Sequence, residues 1–72
     1  MRIHSEMTGT IRKTAEVGAT LSPGDPIVII ESMKMEIPVE ADRPATLRTL
    51  HVTEGTSVNE GDLLADLDPT TP

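Results

Sequence analysis

The chain consists of two similar halves, and this internal repeat limits its fold more than any other feature. The segment "VGATLSPGDPIVII" (17–30) aligns without a gap to "EGTSVNEGDLLADL" (54–67), at an offset of 37 positions. Upstream, "GTI" (9–11) matches "ATL" (45–47) if one residue is gapped before the first glycine. The matched pairs are Gly18 and Gly55, Leu21 and Val58, Gly24 and Gly61, Ile27 and Leu64, and Ile30 and Leu67. Two copies of one β-unit therefore make up most of the chain.

Each copy contains short apolar segments separated by turn sequences. In Ser22-Pro23-Gly24-Asp25, proline presets φ at the second position and glycine permits a positive φ at the third. Asn59-Glu60-Gly61-Asp62 is its weaker counterpart. No segment has the length or the 3.6-residue period of a helix. We therefore predict an all-β domain of two half-sheets closed against one another, with apolar strand segments at 26–30, 37–41, 47–52 and 63–67.

Composition excludes several functional classes. The net charge of −6 argues against binding to phosphate backbones, and the absence of Phe, Tyr and Trp removes any platform for stacking bases. No apolar run approaches the length that crosses a bilayer. The amino-terminal sequence lacks the apolar core of a secretory signal, so a cytoplasmic location is expected. There is no cysteine, and His4 and His51 have no evident ligand set, so we expect no metal site.

Lys34 stands at the junction of the two copies. In the second copy the apolar strand ends at Leu67, so the offset predicts that the first copy's strand ends near Ile30. The segment "SMKM" (32–35) then forms the tip of a hairpin, which is an exposed position. By the same symmetry, the strands at the two chain termini form the counterpart of this hairpin, at the opposite end of the molecule. We assign residues 1–68 to the domain and 69–72 to a disordered tail.

The turn at Lys34 has unusual residues. A two-residue hairpin favours glycine or asparagine at its positive φ angles, and Met33-Lys34 supplies neither. Such strain is tolerated more often at functional positions than elsewhere. A longer, looser turn explains the sequence equally well, and the residues alone leave both interpretations open.

An exposed lysine suits acylation better than catalysis. Catalytic lysines are activated by desolvation, and a hairpin tip offers no pocket for this. Acceptance of an acyl group from a separate enzyme needs only a presented amine. No acid–base pair, nucleophile triad or metal cluster supports an enzyme, and we predict a non-catalytic protein.

The segment "ESMKMEIPVEA" (31–41) resembles the attachment motif of biotinyl domains from biotin-dependent carboxylases. The likeness extends from about Met7 to Leu67, and the small free-standing biotin/lipoyl attachment proteins are the closest type. The resemblance implies a flattened β-barrel (a barrel-sandwich hybrid) of two four-stranded antiparallel sheets with quasi-twofold symmetry. The thumb loop and Ala/Pro linker of many bacterial acetyl-CoA carboxylase carriers are absent.

The same resemblance implies a biotin carboxyl carrier. Lys34 would receive covalent biotin from a biotin protein ligase, which would read Met33 and Met35. The carboxybiotin arm would then move between the active sites of a biotin carboxylase and a carboxyltransferase. The resemblance also implies that the isolated carrier is a monomer.

Other interpretations of the same residues remain. Lys34 could be an ordinary turn lysine, Met33 and Met35 could be adaptable packing at a strand end, and Glu31 and Glu36 could contact the ligase or only solvate the hairpin. A lipoyl carrier uses the same fold, but its motif resembles Asp-Lys-Ala. An unmodified β-domain acting as an interaction module is the alternative from another functional class.

Overall fold

The computed structural model describes residues 1–70, which form eight β-strands and no helix. No helix of sufficient length and apolarity to cross a membrane occurs in this part of the chain. The strands are β1 (Arg2–His4), β2 (Gly9–Thr14), β3 (Thr20–Leu21), β4 (Pro26–Ser32), β5 (Met35–Glu40), β6 (Ala45–Leu50), β7 (Ser57–Val58) and β8 (Leu63–Pro69).

The strands form two antiparallel sheets with matching strand orders. The first sheet has the order β1-β8-β6-β3, and the second has the order β5-β4-β2-β7. Strands β3 and β4 of the first copy correspond to β7 and β8 of the second at the offset read from the sequence. Each sheet therefore contains strands from both copies, in the arrangement that a twofold rotation requires. This confirms the predicted all-β fold of two four-stranded sheets with quasi-twofold symmetry.

Irregularities of the backbone repeat as well. The pairing of β2 with β4 shifts register between Ile11 and Lys13, and the pairing of β6 with β8 shifts between Leu47 and Thr49. The amide of Gly18 donates to the carbonyl of Leu47 at 2.7 Å, and the amide of Gly55 donates to that of Ile11 at 2.7 Å. These bonds cross between the copies, so each half completes the other's turns.

The predicted one-residue gap lies at Val52. Ala15 and His51 donate equivalent backbone hydrogen bonds, and Glu16 and Thr53 accept equivalent ones. Ala15 and Glu16 are adjacent, whereas one residue separates His51 from Thr53. That extra residue, Val52, is 8% exposed and joins the core.

The core lies between the two sheets and draws on both copies. Its fully buried larger side chains include Ile11, Ile27, Ile30, Leu47, Leu64 and Leu67. Each first-copy residue in this group has its second-copy equivalent in the same buried cluster. Full burial of one such side chain contributes about 1.5–3 kcal/mol, which makes this cluster the main stabilising element.

The strand that precedes the carboxyl terminus is longer than predicted. β8 continues to Pro69, and the amide of Thr70 donates to the carbonyl of Pro44 at 3.0 Å. The predicted disordered tail is therefore wrong for residues 69 and 70, because ladder pairing with β6 continues beyond the last apolar residue. Residues 71 and 72 lie outside the described residues.

The strands nearest the two termini pair with each other. β1 pairs with β8, and the backbone amide of Leu67 and the carbonyl of Met1 are 2.7 Å apart. The amino-terminal ammonium group donates in turn to the carbonyl of Leu67 at 2.7 Å. This pair is the symmetric counterpart of the β4–β5 hairpin, so Met1 and Leu67 lie at the end of the molecule opposite Lys34.

Candidate functional site

The β4–β5 hairpin closes through a two-residue turn. Ser32 and Met35 form its last paired positions, and the turn residues between them are Met33 and Lys34. Their φ angles are 53° and 67°, and they are the non-glycine residues with positive φ among the described residues. Two successive left-handed residues are typical of a type I′ turn. The two-residue interpretation is therefore confirmed, and the looser turn is wrong.

The sequence adopts this strained turn because the strands on either side fix its position. Ile30 pairs with Ile37, and Val28 pairs with Val39, on a face where the β4 residues are buried. A slip of one residue would turn this apolar row toward solvent. Left-handed backbone costs an L-residue about 1–2 kcal/mol, which burial of the adjoining strand offsets.

All three residues of the Met-Lys-Met motif project from the protein surface. Met33 is 92% exposed and Met35 is 63% exposed, and Lys34 between them is also exposed. Met7, by contrast, packs against the core. The interpretation of Met33 and Met35 as packing residues at a strand end is therefore wrong, because both side chains are exposed rather than packed in the core.

The charges beside the turn are mostly acidic. Glu31 and Glu36 lie directly opposite each other on β4 and β5, where like charges repel. The Nε of Arg12 is 3.9 Å from a carboxylate oxygen of Glu31, and both side chains are largely solvated, so this pair contributes at most about 1 kcal/mol. Within residues 1–70, the ion pairs do not include Lys34. Its amine is therefore not held by a carboxylate of this part of the chain.

The turn lies outside two cavities formed by the described residues. The larger cavity, of about 610 Å³, lies between β1 and β5 and begins at Ile37 on the β5 side. The smaller, of about 240 Å³, lies beside β2 and β4. Neither is lined by Met33, Lys34 or Met35. Neither of these cavities therefore encloses the Lys34 amine, which is presented on a backbone fixed by the β4–β5 ladder.

Sequence reasoning missed two side-chain pairs. Arg12 reaches Glu31 near the turn, and His51 Nε2 donates to Asp66 Oδ2 at 2.9 Å on the other sheet. Both contacts depend on which strands become neighbours and where their bulges fall, and no local motif signals this. Among the described residues, no group of three or more His, Cys, Asp or Glu side chains could hold a metal ion.

Comparison with known proteins agrees with this geometry. The biotin/lipoyl family model, described as "Biotin-requiring enzyme", matches residues 1–67. The chain is 39% identical over 72 residues to the biotin/lipoyl attachment protein of Bacillus subtilis, covering 99% of each chain. It is 44% identical over 59 residues to the biotin carboxyl carrier protein of Streptococcus mutans, covering 81% of this chain and 45% of that one.

A solved structure shows the same fold within a much larger protein. A single-chain, multi-domain long-chain acyl-CoA carboxylase superimposes with a TM-score of 0.93 at 28% sequence identity. The match covers 97% of this chain and 7% of the carboxylase. Since the family model also covers nearly the whole chain, the protein belongs to the biotin/lipoyl family of biotin-requiring enzymes.

Proposed function

We propose that this protein is a biotin carboxyl carrier and that Lys34 is the residue to which biotin is attached. The observation that carries the proposal is the left-handed turn, which presents an exposed Lys34 between two exposed methionines. Relatives named as a biotin carboxyl carrier protein and a biotin/lipoyl attachment protein support the carrier role.

The residues of the turn fit covalent biotin. Nζ of Lys34 would hold biotin through an amide to the biotin carboxyl group, formed with loss of water that the ligase couples to cleavage of ATP, and the amide nitrogen would carry no positive charge. The backbone on either side of this position is fixed by the β4–β5 ladder, whereas the Lys34 side chain is exposed to solvent. When bound, biotin supplies a ring nitrogen that accepts and releases a carboxyl group.

The chain itself performs no chemical step in this proposal. Its strands hold the turn rigid, and its exposed lysine provides the flexible part of the arm. A biotin protein ligase attaches the group, and a biotin carboxylase and a carboxyltransferase act on it. A match to 6% of the pyruvate carboxylase of Bacillus subtilis, at 39% identity over 67 residues, supports this division of labour, because the rest of that enzyme lies outside the carrier-like segment. The monomeric state and the cytoplasmic location remain predictions.

Met33 and Met35 are proposed as the contacts read by the ligase. Both side chains are exposed, so apolar surface that is not packed against the core lies on both sides of Lys34. Burial of a methionine side chain against a partner contributes about 1.5–3 kcal/mol, enough to distinguish this lysine from others.

The chain offers a matched control for a test of the site, because its two lysines are Lys34 and Lys13. Wild type, Lys34→Arg and Lys13→Arg are incubated with a purified biotin protein ligase, ATP and biotin, and their intact masses are measured. We expect one biotinyl group on wild type and on Lys13→Arg, and none on Lys34→Arg. Labelling of Lys34→Arg would disprove the assignment of the site.

The same measurement on protein from the native host separates the alternative functions. A biotinyl adduct supports the proposal. A lipoyl adduct on Lys34 would replace it with the lipoyl carrier, and an unmodified Lys34 in cells that contain active ligase would favour the interaction module.

A further inference from the structure

The residue that precedes Lys34 is the most solvent-exposed large apolar side chain of the described residues. Met33 is 92% exposed, compared with 63% for Met35, 60% for Val17 and 40% for Met1. It occupies the first corner of the turn, outside the ladder that ends with Ser32 and Met35. The fold therefore leaves the Met33 thioether open to reagents in solution.

The four methionines of the chain form a graded internal comparison. Met33 and Met35 are the most exposed, Met1 is 40% exposed, and Met7 packs against the core. The chain contains no cysteine, so no thiol competes for an oxidant. Since reactivity toward peroxides follows exposure, the expected order of oxidation is Met33, Met35, Met1 and then Met7.

We propose that Met33 is an oxidation site and that its sulfoxide blocks ligation of biotin to Lys34. This inference rests on the proposed carrier function. The oxidant is a peroxide such as hydrogen peroxide. A sulfur lone pair attacks one peroxide oxygen, the O–O bond breaks, and the second oxygen leaves as water after proton transfer. Thioether and hydrogen peroxide are thereby converted to sulfoxide and water.

The chemical change is large at the surface that a ligase must contact. A methionine sulfoxide is polar and chiral where the thioether was flexible and apolar. A partner surface that desolvates the thioether would have to bury an S=O group without a matched donor. Because Met33 is covalently next to Lys34, this mismatch arises where the amine must be positioned for acylation.

Oxidation of Met33 should have little effect on the stability of the folded protein. Oxidation disrupts proteins when the methionine is packed in a core, and here that description fits Met7 alone among the methionines. Met33 has almost its whole surface in water, so its sulfoxide replaces few internal contacts. Oxidation at the turn should therefore change recognition of Lys34 while the thermal midpoint of unfolding stays constant.

The decisive experiment is a competition within one sample of the wild-type protein. The apo protein is partially oxidised with hydrogen peroxide, ligated to less than half completion, and separated on streptavidin. Peptide mapping then gives the sulfoxide content of each methionine in the ligated and unligated pools. We expect Met33 sulfoxide to be depleted about tenfold in the ligated pool, with Met1 and Met7 sulfoxides evenly distributed. Even distribution of Met33 sulfoxide between the pools would overturn the inference.

Two variants assign the effect to one side chain. Each variant is compared with its own unoxidised ligation rate. Met35→Leu keeps Met33 and should retain most of the sensitivity to peroxide, whereas Met33→Leu keeps, beside Lys34, only the less exposed Met35 and should lose most of it. Treatment of the oxidised wild type with the methionine sulfoxide reductases MsrA and MsrB should restore the ligation rate. Loss of sensitivity in Met35→Leu but not in Met33→Leu would place the effect on Met35 and refute the proposal.

Failure of this inference is distinguishable from failure of the proposed function. If unoxidised wild type accepts no biotin on Lys34, the carrier function is wrong and the oxidation proposal falls with it. If unoxidised protein is ligated and oxidised protein is ligated at the same rate, the carrier function stands and only the role of Met33 is refuted.

Discussion

Gly9 and Ala45 occupy equivalent positions in the two halves, but only Ala45 has space for a side chain. A Cβ atom built on Gly9 would lie 2.5 Å from the carbonyl oxygen of Glu31 and 2.6 Å from Cγ2 of Ile30. Ala45 is fully buried and accommodates its methyl group. The halves therefore differ next to Lys34, where β2 approaches the last part of β4 too closely for a side chain.

Gly9→Ala should destabilise the protein by steric overlap. The methyl group meets backbone that cannot rotate away, so we expect a loss of about 1–3 kcal/mol in the free energy of unfolding. Urea unfolding followed by far-UV circular dichroism measures it. Thr8→Ala, at the adjacent exposed position, is the control and should change stability by less than about 0.5 kcal/mol. Equal stability of Gly9→Ala and wild type would contradict the close approach.

Lys34→Gly should raise stability relative to Lys34→Ala. Glycine adopts the observed φ of 67° without the penalty of about 1 kcal/mol that a side chain brings. Both variants lose the amine, so their difference isolates the backbone. For a chain of this size we expect Lys34→Gly to melt about 4–8 °C above Lys34→Ala by differential scanning calorimetry. A lower midpoint for Lys34→Gly would show that the turn carries no strain.

Gly24→Ala and Gly61→Ala should cost the same amount. Both glycines have a φ of 92°, and a Cβ on either would meet no atom within 4 Å, so the penalty is conformational at both sites. We expect each substitution to lower the free energy of unfolding by about 1–2 kcal/mol. Urea midpoints that differ by more than the error of the fit would show that the two turns are not energetically equivalent.

Asp66 should make stability fall in acid. The hydrogen bond from His51, followed by the charges of His51, Arg2 and the amino terminus, holds the pKa of Asp66 below its usual 3.8, although partial desolvation opposes this. Because the pKa of Asp66 is lower in the folded state than in the unfolded state, ionised Asp66 contributes its full stabilisation above pH 3.8. This stabilisation is lost as the pH falls through the pKa of the folded state. The stability difference between wild type and Asp66→Asn should therefore shrink below pH 3.8 in urea titrations.

His51→Ala tests the cause of that shift. Removing the hydrogen bond should raise the pKa of Asp66 toward 3.8, as measured by the carboxyl ¹³C shift in an NMR titration. His4→Ala is the matched control. His4 lies on β1 and pairs with Leu63 of β8 rather than with Asp66, so its substitution should leave the Asp66 titration unchanged. An equal effect of both variants would contradict the role of His51.

The repeat explains why much of this fold can be predicted from the sequence. The turn glycines, the existence of a one-residue gap before the first of them and the interruption of the apolar run near Lys34 are all visible in the alignment of one half on the other. The location of the gap at Val52 comes from the backbone hydrogen bonds. The short strands β3 and β7 are less predictable, since two-residue strands exist only through their ladders with distant partners. β1 contains one apolar residue, Ile3, and symmetry predicts it better than composition does.

Strand ends and side-chain pairs need the three-dimensional structure. β5 begins at Met35 rather than at Ile37, because backbone pairing includes exposed residues that hydrophobicity does not mark. β6 ends at Leu50 rather than at Val52, because its pairing with β8 stops there although Val52 is buried. The approach of Arg12 to Glu31 depends on the register shift in β2 between Ile11 and Lys13. The presence of an arginine and a glutamate in the sequence does not reveal that shift.

The pairing of β1 with β8 has a consequence for how such a domain can be joined to other polypeptides. Met1 and the last part of β8 lie side by side, on the side away from Lys34, so a neighbouring domain connected there would not obstruct the lysine. The same architecture can thus serve as an independent chain or as a small segment of a large carboxylase without any redesign of the β4–β5 turn.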